Sequence, residues 1–190
     1  MPDEVARRLV HGSGAGIPLL YLLDLVTWTQ LRLVVVAGTL VTLGLEIVRL
    51  YVGLDWVLFD KLTREYEQDN LAGYALYVFS GTGVVLAFSP KVAVPAVLML
   101  TLGDPVSGLL GSDELRRVKR LRVMALMFAV CLGLALPFVD AVAAVAGALA
   151  ATVADGVKPI VAGYVIDDNL TIPVAAAVAM AGAPAYLPAL

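Results

Sequence analysis

Asp104 is a carboxylate inside an otherwise apolar stretch of the sequence. It lies in the run Leu102-Gly103-Asp104-Pro105-Val106-Ser107-Gly108-Leu109-Leu110-Gly111. Ionisable groups in the middle of a bilayer cost about 2.5–3.5 kcal/mol each on insertion scales, and for that reason they tend to be functional. The neighbouring glycines allow a ligand to approach the main chain. The pattern predicts a functional role for Asp104, whereas Ser107 is equally consistent with a packing role.

A second acidic group, Asp167-Asp168-Asn169, closes the last polar connection, which begins near Asp155. Two adjacent carboxylates and an amide form a set of hard oxygen ligands, and Mg2+ prefers carboxylates together with phosphate oxygens. The group directly precedes the segment Leu170-Thr171-Ile172-Pro173. It predicts a Mg2+ site, although an acidic loop that is only solvated has the same appearance.

Basic residues form two groups that suit phosphate. Arg7 and Arg8 lie four and three residues before His11, so on a helix the three side chains face one side. Phosphate binding is one interpretation; in the other, the arginines anchor the chain at the headgroups and His11 bonds to a neighbouring helix. Five more cations occupy the seven residues Arg116-Arg117-Val118-Lys119-Arg120-Leu121-Arg122. This run is suited to a triphosphate or to anionic lipid headgroups, and it also fits a topology determinant.

Two further patterns have mainly structural interpretations. Glu46 and Arg49 stand three residues apart, which predicts an ion pair within one helix or a carboxylate that faces the site. Gly12, Gly14 and Gly16 resemble a phosphate loop, but no strand precedes them. Close packing of helices, in this chain or in a homo-oligomer, is the interpretation we favour for these glycines.

The composition identifies the environment of these residues. Of 190 residues, 61% are apolar and 15% are charged, and the mean hydropathy is +0.91. Soluble domains average about 45–50% apolar and about 25% charged residues. The net charge of −3 does not suggest a nucleic-acid partner, and the single cysteine and single histidine exclude a disulfide within the chain and multi-histidine metal sites. We predict one integral membrane domain over residues 1–190.

Hydropathy predicts an all-α, polytopic bundle of about seven transmembrane helices. The sixth is expected to break between Asp155 and Pro159, where polar backbone would line a cavity. The predicted spans are Val5–Val26, Leu31–Gly53, Asn70–Ser89, Val92–Gly111, Leu121–Val139, Ala141–Ala162 and Leu170–Leu190.

Basic residues also predict the orientation of the bundle. With these spans, 11 of the 13 lysines and arginines fall on one side, and only Arg32 and Lys91 fall on the other. The positive-inside rule then places the N-terminus and the basic connections in the cytoplasm. The groups that map to this side are Arg8 with His11, Arg64 with Glu65, Asp104, the basic run 116–122, and Asp167 with Asp168. The number of spans alone does not require this agreement. Carboxylates for a divalent cation and cations for phosphate, on one face of a membrane protein, suggest nucleotide chemistry on a lipid.

The motifs, in this order, resemble those of the dolichol kinase and phytol kinase family, which is related to the phosphatidate cytidylyltransferases. The resemblance runs from residue 4 to about residue 175. The matching pieces are Arg7-Arg8-Leu9-Val10-His11, Arg64-Glu65 with Leu71-Ala72-Gly73-Tyr74, Leu102-Gly103-Asp104-Pro105-Val106-Ser107-Gly108-Leu109-Leu110-Gly111, and Asp167-Asp168-Asn169-Leu170-Thr171-Ile172-Pro173.

The resemblance implies a lipid kinase that transfers the γ-phosphate of CTP, with Mg2+, to an isoprenoid alcohol or a similar lipid. Its implied catalytic residues are Asp104, His11 and Asp168, and its implied metal ligands are Asp104, Asp167, Asp168 and Asn169. The implied nucleotide-binding and phosphate-binding residues are Arg8, Arg64, Gly103, Gly108, Gly111, Lys119 and Arg120. The chain departs from the family where a Lys-Ser/Thr-x-Glu-Gly stretch is usual, because residues 118–124 contain Lys119 but neither glutamate nor glycine. Two alternatives stay open: a cytidylyltransferase that makes a CDP-lipid, and a non-catalytic membrane protein that binds a lipid.

Overall fold

A computed structural model describes residues 2–52, 63, 70–110, 119–157, 160–161 and 164–186 of the chain. The regular structure of this part is helical except for two strands of two residues each, β1 (Ile160–Val161) and β2 (Tyr164–Val165), which pair antiparallel. The predicted all-α class is therefore confirmed.

The N-terminal segment forms two short helices, α1 (Pro2–Ser13) and α2 (Gly16–Leu22). Between them the main chain forms two tight turns, each closed by a hydrogen bond between residues three apart. Gly14 N–H donates to the His11 carbonyl, and Ala15 N–H donates to the Gly12 carbonyl. Glycine is unfavourable inside a helix and tolerates such turns. The prediction of one helix over Val5–Val26 is wrong in this respect, since neither helix alone reaches across about 30 Å of hydrocarbon.

Two helical stretches are long and apolar enough to cross a membrane, Trp28–Val52 and Pro90–Leu109. The first consists of α3 (Trp28–Ile47) and a π-helical segment (Val48–Val52). A capping box starts it, because Gln30 N–H donates to Thr27 Oγ1 while Thr27 N–H donates to Gln30 Oε1. The second consists of α5 (Pro90–Leu98), a π-helical segment (Met99–Gly103) and α6 (Asp104–Leu110). Between α3 and α5 lies α4 (Gly73–Ala87).

Three more helices complete the described fold: α7 (Leu121–Ala135), α8 (Ala141–Gly156) and α9 (Asp168–Tyr186). The helix of the predicted sixth span ends at Gly156, within the segment where the sequence predicts a break. Helices α4, α7, α8 and the apolar part of α9 are 10–17 residues long, so a seven-span bundle is not confirmed.

Helix α9 lies at the centre of the bundle and packs against α8, α4 and α5. Small residues allow the closest approach: a Cβ added to Gly147 of α8 would come 2.4 Å from Met180 Cγ of α9. Helix α3 packs on α4 at the periphery of the bundle. Only 17% of the most apolar part of Trp28–Val52 is buried, against 67% of the most apolar part of Pro90–Leu109.

When α5, the π-helical segment Met99–Gly103 and α6 are counted as one stretch, the helical stretches from α3 to α9 alternate in direction, so every second connection lies at the same end of the bundle. The start of α4, the start of α6, the end of α8 and the start of α9 all meet there, close to the end of α1. We call this the polar end. Arg32 and Lys91 lie at the opposite end, near the starts of α3 and α5. Arg8, Arg49 and Lys119 lie at the polar end, which agrees with the predicted sorting of the basic residues.

Candidate functional site at the polar end

Three aspartates from three helices converge at the polar end. Asp104 begins α6, Asp155 lies in the last turn of α8, and Asp168 begins α9. One carboxylate oxygen from each lies within 4.8 Å of the others. Asp155 is completely buried, Asp168 is nearly so, and the side chain of Asp104 is 22% exposed. Like charges repel strongly in a medium of low dielectric constant, so three carboxylates at this spacing favour a nearby cation or a bound proton.

Lys119 supplies one of these positive charges. Its Nζ donates to Asp155 Oδ1 at 2.6 Å and to Ser107 Oγ at 3.1 Å. Ser107 is buried and donates through its hydroxyl to Asp155 Oδ2 at 2.6 Å. The main chain holds Lys119 in place as well, since its N–H donates to the Gly156 carbonyl at 3.0 Å. Both oxygens of Asp155 are thus engaged, but each keeps a lone pair for a further partner.

His11 faces Asp104 from the last turn of α1. Its Nε2 lies 3.0 Å from the Leu100 carbonyl oxygen and 3.6 Å from Asp104 Oδ2. Leu100 belongs to the π-helical segment Met99–Gly103, which leads directly into Asp104. Segments of this kind are frequent at functional sites.

Tyr77 of α4 holds His11 from the other side. Its hydroxyl donates to the His11 carbonyl at 3.1 Å, and the two rings meet edge to face with centroids 4.6 Å apart. Gly14 makes room for this hydroxyl, because a Cβ at residue 14 would lie 1.6 Å from it. By contrast, a Cβ at Gly16 would meet nothing within 4 Å, so Gly14 is the glycine of this group that the packing within the chain requires.

Arg8 lies over Gly108, on the surface of α6. A Cβ at Gly108 would lie 1.6 Å from Arg8 Nη1, and this nitrogen is also 3.5 Å from the Pro105 carbonyl oxygen. Because Gly108 has no side chain, the Arg8 guanidinium group can lie against α6 at this residue. Gly108 is one turn of α6 beyond Asp104, so Arg8 places a permanent positive charge near the carboxylates.

The start of α9 is ordered by its own polar residues. Asp167 Oδ1 accepts from Asn169 N–H at 2.9 Å, and the Asn169 carbonyl accepts from Ser80 Oγ at 2.7 Å. Asp168 lies in the first helical turn, where the helix dipole favours a negative charge. Within the part of the chain that the structure describes, Asn169 Oδ1 is buried without a hydrogen-bond partner.

The structure brings together six of the predicted site residues: Asp104, His11, Asp168, Arg8, Gly108 and Lys119. Asp167 and Asn169 flank Asp168 but are not among the three converging carboxylates. Gly103 is buried against Met127 and Cys131, and Arg120 is exposed just before α7. Arg64 and Gly111 lie outside the described residues.

Asp155, Ser107 and Tyr77 belong to the site but were not among the predicted site residues. Asp155 stands next to Gly156 and Lys158, so the sequence suggested the end of a helix rather than a ligand. Its signal was a carboxylate after fourteen uncharged residues, 141–154. Tyr77 has no such signal, since it is one aromatic residue in an uncharged helix.

Glu46 and Arg49 form a separate buried ion pair within one turn, with Nε–Oε1 at 3.0 Å and Nη2–Oε2 at 2.7 Å. Glu46 also accepts from Ala72 N–H at 3.2 Å and from the Tyr74 hydroxyl, while Arg49 donates to the Asn70 carbonyl. The pair thus connects the end of α3 to the start of α4. These contacts agree with the structural interpretation of the pair.

The donor set of the three aspartates fits Mg2+. Mg–O bonds are about 2.0–2.1 Å, so oxygens on opposite sides of the ion are about 4.2 Å apart. A spread of 4.8 Å needs a small closure or a water molecule in place of one carboxylate. Mg2+ commonly keeps water ligands and combines one or two carboxylates with substrate phosphates. Asn169 Oδ1, buried without a hydrogen-bond partner within the described residues, would offer a further oxygen in the same turn as Asp168.

No family model matches the chain, and no curated protein or solved structure shows significant similarity to it.

Proposed function

We propose that this protein is a lipid kinase of the membrane, which transfers the γ-phosphate of CTP, or of another nucleoside triphosphate, to the hydroxyl of an isoprenoid alcohol or a similar lipid. The observation that carries the proposal is the convergence of Asp104, Asp155 and Asp168 with Lys119 and Arg8 at one end of an apolar helical bundle. Phosphoryl transfer needs this combination, because it depends on positioning and on neutralising charge rather than on covalent chemistry with the protein.

Asp155 and Asp168 are the proposed Mg2+ ligands. They are the two most buried carboxylates of the site, and Asn169 and Asp167 adjoin Asp168 in the chain. When bound, Mg2+ would neutralise negative charge on the β- and γ-phosphates. Lys119 and Ser107 orient the Asp155 carboxylate before any ligand arrives, since Lys119 donates to Oδ1 and Ser107 donates to Oδ2.

Arg8 and Lys119 are the proposed phosphate-binding groups. Arg8 presents a planar set of donors suited to phosphate oxygens, and Gly108 allows it to lie flat on α6. Lys119 is a compact charge that reaches both Ser107 and Asp155. Stabilising the negative charge of the transferred group is the main way in which such residues accelerate phosphoryl transfer.

Asp104 is the proposed general base that accepts the proton of the lipid hydroxyl. Among the three carboxylates it is the most exposed, so a substrate hydroxyl can reach it. As that proton moves to Asp104, the hydroxyl oxygen forms a bond with the γ-phosphorus and the bond to the β,γ-bridging oxygen breaks. The nucleoside diphosphate then leaves with the bridging oxygen.

The apolar surface of the bundle supports a place in the membrane. Helix α3 exposes large apolar side chains along its length, among them Leu33, Leu40, Val41 and Ile47. Helix α4 has fifteen residues and α8 has sixteen, so they are about 22–24 Å long and shorter than the hydrocarbon thickness. In a membrane, the ends of these helices would therefore lie below the surface. We propose a multi-pass protein whose polar end faces the cytoplasm, with the carboxylates near the depth at which a lipid hydroxyl lies.

Labelled nucleotides test the reaction. Purified protein in lipid nanodiscs is incubated with Mg2+ and CTP or ATP, labelled at either the α- or the γ-phosphorus, and with polyprenol, phytol or diacylglycerol. The proposal expects γ-label, and no α-label, in a lipid monophosphate. Transfer of α-label would instead indicate a CDP-lipid, and no transfer from either nucleotide to any lipid would refute the kinase.

A further inference from the structure

We infer that His11 is a positioning residue that holds Asp104 through its Nε2–H group and is not the base that takes the substrate proton through Nε2. This inference concerns the site of the proposed lipid kinase and rests on that function. The sequence leaves two candidates for the general base, the Asp104 carboxylate and the His11 imidazole. The hydrogen bond between His11 Nε2 and the Leu100 carbonyl distinguishes them.

The first step concerns the proton on His11. Nε2 lies 3.0 Å from the Leu100 carbonyl oxygen, which is a hydrogen-bond acceptor and has no proton to donate. A hydrogen bond between them therefore requires that Nε2 carries the proton. The same nitrogen lies 3.6 Å from Asp104 Oδ2, so its N–H group also stabilises the Asp104 carboxylate electrostatically. A protonated Nε2 has no lone pair with which to abstract a proton.

The second step explains why Leu100 needs this donor. In a regular α-helix its carbonyl would accept from Asp104 N–H, but Asp104 N–H donates to the Met99 carbonyl. In a π-helix its carbonyl would accept from residue 105, which is proline and has no N–H. Neither partner is available, and His11 takes their place. The Leu-Gly-Asp-Pro run thus leaves the Leu100 carbonyl without a main-chain donor from residues 104 and 105, and His11, far away in the sequence, supplies the hydrogen bond.

The third step concerns the orientation of the ring. Tyr77 donates to the His11 main chain and its ring packs edge to face with the imidazole, so both the main chain and the ring of His11 are held. Gly14 permits this contact because any larger residue would collide with the Tyr77 hydroxyl. Helix α1 is therefore fixed against α4 and against the π-helical segment at one place, next to the carboxylate it serves.

The protonation site can be measured without any activity, because His11 is the only histidine of the chain. Protein labelled with 15N-histidine gives the two ring-nitrogen signals of one residue, and their couplings to the ring C–H protons distinguish Nε2 from Nδ1. The inference expects the proton on Nε2 in the nucleotide-free protein. A neutral ring protonated on Nδ1 would overturn it.

Variants at the same residue test the role in the reaction. Gln places an N–H group near the position of Nε2, whereas Ala and Asn do not. We expect His11→Gln to keep the rate of lipid phosphorylation within about threefold of the wild type. His11→Ala and His11→Asn should lose about tenfold or more, because both lose the hydrogen bond to the Leu100 carbonyl and the N–H group near the Asp104 carboxylate. If His11 were the general base, Gln and Ala would lose the rate equally, by about 10²–10⁴-fold.

Amide hydrogen exchange measures whether the His11 variants keep the local structure, and it does so independently of lipid phosphorylation. Exchange at residues 99–104 should be faster in His11→Ala than in the wild type and should return towards the wild-type rate in His11→Gln. If the wild type phosphorylates no lipid, the proposed function fails, while the 15N spectrum and the exchange rates still decide whether His11 holds this turn. Unchanged exchange in His11→Ala would overturn the inference.

Discussion

Replacing Lys119 with methionine tests the buried ion pair on which the site depends. Lys119 Nζ lies 2.6 Å from Asp155 Oδ1, and the Asp155 side chain is completely buried. Methionine has a similar length and fills similar space, but it leaves the Asp155 carboxylate without this charge. Ser107 still donates one hydrogen bond to Oδ2, and a hydroxyl does not neutralise a carboxylate.

The expected loss of stability is large. Removing one partner of a buried ion pair typically costs about 3–5 kcal/mol, because the other charge stays buried and uncompensated. In a domain of this size, each kcal/mol lowers the melting temperature by about 2–4 °C. Lys119→Met should therefore melt roughly 6–20 °C below the wild type.

Thermal unfolding in detergent micelles, followed by circular dichroism, measures this difference. Lys91→Met is the matched control, because Lys91 is exposed at the opposite end of the bundle. Exposed substitutions usually change stability by less than about 0.5 kcal/mol. The double variant Lys119→Met/Asp155→Asn removes both charges and should recover most of the loss. The reasoning is refuted if Lys119→Met melts within 2 °C of Lys91→Met, or if the double variant is no more stable than the single one.

Two further substitutions test other contacts. Gly108→Ala puts a methyl group where Arg8 Nη1 lies, so we expect the KM for nucleotide to rise about tenfold with little change in stability; Gly133→Ala, which points into open space, is its control, and equal KM values would contradict the assignment. Glu46→Gln leaves the buried Arg49 uncompensated and should cost about 3–5 kcal/mol in unfolding, a prediction that fails if the melting temperature does not change.

The sequence predicted the helical class and the chemistry of the polar end better than the path of the chain. Uncharged apolar runs predicted one helix each for α4, α7 and α8. The bounds of α4 and α7 agree with the predicted spans to within a few residues, whereas α8 ends six residues before the predicted end at Ala162. The first predicted span was wrong because a hydropathy profile does not detect the turn at residues 12–15. The hydrogen bonding of the main chain interrupts the helix there, and no charged residue marks the turn.

The site was only partly predictable for a different reason. Asp104 could be found because a carboxylate in an apolar stretch is costly, and Asp168 because it belongs to a run of hard oxygen ligands suited to Mg2+. Asp155 became a site residue only through tertiary structure, since antiparallel packing brings the end of α8 to the start of α9. The roles of Gly14 and Gly108 depend on contacts with Tyr77 and Arg8, far away in the chain, which no local pattern encodes.

The most direct test of the central claim compares two aspartate substitutions in the transfer of γ-label from CTP to a lipid alcohol. Asp168→Asn removes one charge from the three converging carboxylates. Asp140→Asn makes the same chemical change at the opposite end of α8, where Asp140 Oδ1 accepts from Ala143 N–H, and asparagine caps a helix equally well. The account predicts that Asp140→Asn transfers label at the wild-type rate, while Asp168→Asn is at least about a hundredfold slower, the equivalent of about 2.7 kcal/mol in the barrier. Equal rates in both variants and the wild type would contradict it.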